Sequence, residues 1–145
     1  MNTDRKTYRN PIANGADPFI LPWDGKYYLY STNSPDGYIV FESEDLMHWE
    51  NKGLCLETGN VYGAPVAKRG FWAPEIYRID GRFYMLYTVA GNIGVAVADS
   101  PLGPFQKYSE GFLFPDRLAI DANLLIDDDG QMYIYYVIVS GGNKI

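Results

Sequence analysis

Three stretches of the chain repeat one another, and the repeat limits what it can fold into. They are "ADPFILPWDGKYYLYST" from Ala16, "WAPEIYRIDGRFYMLYT" from Trp72 and "AIDANLLIDDDGQMYIYYV" from Ala119. Each has a short apolar run, an Asp-Gly pair, then a run rich in Tyr, Phe, Leu and Met. The glycines are Gly25, Gly81 and Gly130, 56 and then 49 residues apart. Asp-Gly between apolar runs marks a tight hairpin, because glycine supplies the positive φ that such a turn requires. Second turns follow at Pro35-Asp36-Gly37, Ala90-Gly91-Asn92 and Ser140-Gly141-Gly142. Third strands are expected at Tyr38 to Ser43 and Ile93 to Ser100. Connectors then bring Trp49 and Phe105 to short outer strands closing at Gly53 and Gly111.

The unit is a four-stranded antiparallel meander of about fifty residues, the period of a β-propeller blade. The fold class read from this is all-β, a propeller of four-stranded antiparallel blades. Blade one covers about 15–54, blade two 71–111 and a partial blade three 119–145. A sandwich or barrel of the same hairpins is the alternative. Two and a half blades leave a propeller unclosed, and closure is what protects sheet edges. The sequence therefore reads as a truncation, or as a chain whose open blade edges pair with another copy.

Composition narrows the partners. A formal charge of -6 and no basic run exclude nucleic acid, whose phosphates call for Lys and Arg patches. Thirteen tyrosines suit strands and also suit surfaces that stack on sugar rings. No apolar run is long enough to span a bilayer and the N-terminus lacks a signal-like core, so the reading is a soluble polypeptide. Its location is left open between cytoplasm and secretion with the signal removed. Cys55 alone permits no internal disulfide and reads as a small apolar strand residue.

Aligning the units on proline and turn glycine places Asp17 and Ala73 at one position, where Asp121 begins the third unit. First strands line the axis of a propeller, so Asp17 and Asp121 are expected to converge on one pocket. Paired carboxylates serve glycosidic cleavage, one activating water and the other protonating the leaving oxygen. An inverting pair stands roughly 6.5–9.5 Å apart to admit that water. The plain alternative is turn chemistry, since aspartate before proline is common there.

The motifs "NGADPFI", "FWAPEIY", "AIDANLLIDDDG", "SEDLMHW" and "SPLGPF" resemble those of glycoside hydrolase family 43, a family of five-bladed propellers. The likeness runs from about Asn10 to the C-terminus. It implies an inverting hydrolase of arabinose- or xylose-containing plant polysaccharides, with carbohydrate as partner. It implies that Asp17 is the general base and that Asp121 orients the acid and tunes its pKa. This chain has Ala122 where the family usually has proline. The resemblance places the general acid on a later blade; Glu42, Glu44, Glu50, Glu57, Glu75 and Glu110 match no such motif. Without it the isolated chain is expected to be inactive, and a non-catalytic carbohydrate-binding or assembly module is the alternative. A protein-interaction propeller has only the fold in its favour. No cofactor is expected here; some family members hold calcium near the axis, on residues expected outside this chain.

Trp72 precedes the rim position of blade two and Phe19 follows Asp17, which makes both candidates for sugar contact; Trp72 reads equally as core, and Phe19 also reads as packing of its strand. Glu75 reads as a structural carboxylate, Trp23 as an edge residue, and Trp49 and Phe105 as core between blades. His48, in the outer connector, reads as solvated. Asp127-Asp128-Asp129-Gly130 lacks calcium-loop spacing and reads as a polar turn, so no metal site is expected.

Overall fold

The computed structural model describes residues 10–62, 70–139 and 143–145. They form three antiparallel sheets in chain order. The first contains β1 (Ala16–Trp23), β2 (Lys26–Thr32), β3 (Gly37–Ser43) and β4 (Glu50–Glu57). The second contains β5 (Phe71–Ile79), β6 (Arg82–Val89), β7 (Asn92–Ala98) and β8 (Gln106–Lys107). The third contains β9 (Ala119–Ile126), β10 (Met132–Val139) and β11 (Asn143–Lys144). Each sheet is an up-and-down meander, two of them with four strands, and these are propeller blades. The expected turn at Ser140 to Gly142 lies outside the described residues. Among the described residues no helix is long and apolar enough to cross a membrane.

The hairpins are built as the Asp-Gly pairs dictate. Asp24 and Gly25 have φ of 49° and 75°, and Asp80 and Gly81 have 48° and 85°. Both residues being left-handed gives the turn whose twist matches the flanking strands. In the third sheet the longer Asp127–Gly130 loop closes through the Gly130 amide on the Asp127 carbonyl, 2.9 Å.

The first two sheets share one core. Tyr28, Tyr30, Tyr38, Val40, Cys55 and Leu56 meet Phe71, Ile76, Met85, Tyr87 and Phe105, all buried. Their polar ends are satisfied across the interface. The Tyr30 hydroxyl donates to the Pro101 carbonyl at 2.5 Å. The Tyr38 hydroxyl lies 2.9 Å from the carbonyls of both Trp72 and Thr88. Burial pushes the Cys55 thiol up to about 12, which fits an inert core residue. A smaller cluster of Leu86, Ile93, Ala119 and Ala122 joins the second sheet to the third.

Two expectations from the repeat change in the structure. Phe105 is core between sheets, but its counterpart Trp49 is only half-buried and donates its indole N–H to the Leu46 carbonyl. With Ile12, Pro18, Ile20, Leu29 and Leu46 it lines an apolar cleft of about 380 Å³. The reason is positional: Phe105 packs back onto the preceding sheet, and no described sheet precedes the first. The outer strand of blade one also runs past Gly53 to Glu57. Gly53, at φ 91°, sits where the pairing of β3 with β4 slips, so it forms a bulge and the strand continues.

Tyr38 is the most demanding tie between sheets, since its hydroxyl serves two backbone carbonyls from a fully buried ring. Tyr38→Phe is expected to cost about 1–3 kcal/mol, the penalty of stranding buried acceptors. A urea melt checks this: the midpoint falls while the slope stays, and an unchanged midpoint contradicts the tie.

Candidate active site

Asp17, Ala73 and Asp121 share more than an alignment position. Their φ values are 50°, 36° and 55°, all left-handed. At each the ladder slips by one residue. Asp17 and Pro18 stand opposite one residue between the pairs Ala16↔Thr32 and Phe19↔Tyr30. Ala73 and Pro74 do the same between Trp72↔Thr88 and Glu75↔Leu86, and Asp121 and Ala122 between Ile120↔Val137 and Asn123↔Tyr135. The extra residue of such a bulge is free of the ladder and its side chain is re-aimed. Aspartate tolerates left-handed backbone better than most residues; for Ala73 the conformation costs on the order of 1–2 kcal/mol. Ala122 in place of proline leaves the bulge in the same form.

A threonine links each bulge to the next. Thr32, at the end of β2, accepts the Ala73 amide at 3.2 Å, and Thr88, at the end of β6, accepts the Asp121 amide at 3.1 Å. Thr32 also donates its hydroxyl to Asp17 Oδ2 at 2.9 Å. These bonds string the three rim positions together along one end of the sheets. The sequence reading passes over Thr32 and Thr88, although each lies seven residues after its turn glycine, where the third unit has Val137.

The two carboxylates sense one another. Partial burial, and the negative charge of Asp17, hold the Asp121 carboxyl above its ordinary value. Glu75 is occupied otherwise. Its Oε2 accepts the Tyr77 hydroxyl and, at 2.9 Å, the Asn123 side-chain amide of β9. The Tyr77 oxygen also accepts the Leu124 amide at 2.9 Å, and burial with the Glu75 bond raises the Tyr77 pKa. Glu75 thus clamps β5 to β9 beneath the rim.

The aromatic candidates separate. Trp72 is 40% exposed beside Ala73. Phe19 is half-buried, its ring against Tyr77 at 6.0 Å between centroids, and packs on the main core. Trp23 stands edge-on to Phe83 with the Arg78 guanidinium 4.2 Å above its ring. His48 is exposed and meets Asp45 at 2.8 Å, remote in the chain from the bulges. Among the described residues no group of three or more His, Cys, Asp or Glu is gathered to hold a metal ion.

Comparison with known proteins bears on this arrangement. The family model described as glycosyl hydrolases family 43 matches residues 8–144. A xylosidase/arabinosidase of Bacteroides ovatus is 30% identical over 98% of this chain and 49% of its own. The crystal structure of an endo-1,4-beta-xylanase from Bacteroides thetaiotaomicron superposes with a TM-score of 0.80 at 36% identity, over 88% of this chain and 44% of that one. An endo-arabinase from the same organism gives 0.77 at 26% identity, over 92% and 49%. The chain spans half or less of the length of the curated relatives it matches, from 49% down to 22%.

The coupling of the carboxylates can be measured. Asp17→Asn removes the charge facing Asp121, so the Asp121 pKa is expected to fall toward the ordinary carboxylate range. Carbon-13 titration of the Asp121 carboxyl reads this directly, and an unmoved midpoint would mean the two groups do not face each other.

Proposed function

The chain belongs to glycosyl hydrolases family 43, and from that premise we propose that it supplies half of a catalytic site for glycosidic bonds in arabinose- or xylose-containing polysaccharides. The observation that carries the reading is the placement of Asp17 and Asp121 on identical left-handed bulges, within electrostatic reach of each other. Names of the relatives support the substrate class: xylosidase/arabinosidase, endo-1,4-beta-xylanase and endo-arabinase.

In this mechanism Asp17 is the general base. It takes a proton from water as the water oxygen bonds the anomeric carbon from the face opposite the leaving group. The bond from that carbon to the glycosidic oxygen breaks, a general acid protonates the leaving oxygen, and the configuration inverts. Asp121, raised by burial and by Asp17, orients that acid and keeps its proton available. Ala73, between the acids in the series of bulges, carries only a methyl group and so leaves room for the sugar. Trp72 provides the stacking face, with Phe19 as the packed support behind Asp17.

In this reading the general acid is supplied by a later segment or by a partner. Glu75, two residues past Ala73, is held by Tyr77 and Asn123 and serves the fold. That same engagement favours the second reading, a module that binds carbohydrate without cleaving it.

Purified 145-residue chain is expected to release no arabinose or xylose from aryl glycosides; measurable release would overturn the placement of the acid. In a longer natural polypeptide carrying this chain, Asp17→Asn should lower turnover by on the order of 10²–10⁴-fold or more. Sugar binding should survive. Turnover retained in Asp17→Asn would remove Asp17 as base.

A further inference from the structure

We propose that Thr32 is a positioning residue for Asp17, fixing its rotamer and reserving one carboxylate oxygen for the reacting water. The inference rests on the reading of Asp17 as general base, but its geometry stands apart from it.

A threonine hydroxyl has one proton to give and two lone pairs to offer. The Ala73 amide, 3.2 Å away, occupies a lone pair of Thr32 Oγ1. The proton is then free for Asp17 Oδ2 at 2.9 Å, which among the described residues leaves Oδ1 uncommitted. Thr32 is well suited to hold this line. Its branched Cβ restricts χ1, and its backbone pairs with Ala16 immediately before the bulge. Asp17 needs such a partner, being exposed and lifted out of the ladder at φ 50°. Among the described residues Thr32 is its side-chain donor.

Two duties can be separated by comparing the units. Accepting the next sheet's amide is architectural, because Thr88 does the same for Asp121. Thr88 pairs with Trp72 just before Ala73, as Thr32 pairs with Ala16 just before Asp17, so the bulge residue beside Thr88 has no carboxylate to receive its proton. The third unit has Val137 instead. At Thr32 the amide of one sheet and the carboxylate of another meet on a single hydroxyl at the rim, as they do on Tyr77 below it.

The test uses Thr32→Val, which keeps the shape and deletes the hydroxyl, and Thr32→Ser, which restores it. Three-bond couplings from the Asp17 Cγ to its own amide nitrogen and carbonyl carbon report χ1. A single rotamer is expected in the unsubstituted chain, averaging in Thr32→Val, and a single rotamer again in Thr32→Ser. Averaged couplings in the unsubstituted chain overturn the proposal even if no variant folds. So does a rotamer unmoved in Thr32→Val, or a Thr32→Ser that is disturbed as much as the valine.

In an active longer polypeptide, Thr32→Val should lower kcat about 10- to 100-fold with KM within about twofold, the cost of a misplaced catalytic group. Full kcat in Thr32→Val beside an averaged rotamer also overturns it. Asp17→Asn separates the two readings: retained turnover there sinks the assignment of the base, while the couplings still decide the role of Thr32.

Discussion

Left-handed backbone at one position of each unit is the constraint on which the rest depends. L-residues resist that conformation, and here three non-glycine residues adopt it at the same place. The return is a bulge that frees Asp17, Ala73 and Asp121 from strand pairing and turns them to the rim. A regular strand would send alternate side chains to the two sheet faces, and none to the end of the sheet. Two of the three residues are aspartates, which tolerate the conformation, and the third is alanine, the smallest that still carries a Cβ. The chemistry and the backbone geometry are selected by the same side chains.

Holding that rim is the work of hydroxyls placed between sheets. Thr32 and Thr88 bind the next bulge, and Tyr38 reaches the carbonyls of Trp72 and Thr88 from a buried ring. Below them Glu75, Tyr77 and Asn123 join β5 to β9. Apolar packing sets the sheets side by side, and these directional bonds set their stagger. Apolar surface remains at the two ends of the series. Pro18, Ile20, Leu29 and Trp49 line the cleft on the first sheet, while Leu125, Ile126, Tyr133 and Ile134 stand exposed on the third. Self-association through such surfaces is an expectation of the repeat that a light-scattering mass would address.

Much of this architecture is legible in the amino-acid sequence. The Asp-Gly pairs determine local dihedrals outright, so Asp24-Gly25 and Asp80-Gly81 form the hairpins the sequence implies. Repeat alignment puts Asp17, Ala73 and Asp121 in register, because turn glycines and prolines number the strands. What it does not show is contact between sheets. Thr32 and Thr88 are visible as a repeat yet silent, since a threonine in a strand is ordinarily just a good strand residue. Trp49 misleads for the opposite reason: it repeats Phe105, but the neighbour that would bury it is not among the described sheets. Phe19 draws notice for its place beside Asp17, whereas its ring is committed to Tyr77.

The central claim is that the bulges of Asp17, Ala73 and Asp121 frame one sugar site. Amide and indole chemical-shift mapping with xylotriose and arabinotriose tests it most directly. The account predicts that the largest saturable changes fall on the amides of Asp17, Ala73 and Asp121 and on the Trp72 indole. Saturable changes confined to the outer connectors or to the apolar sheet faces, with those four signals still, would contradict it.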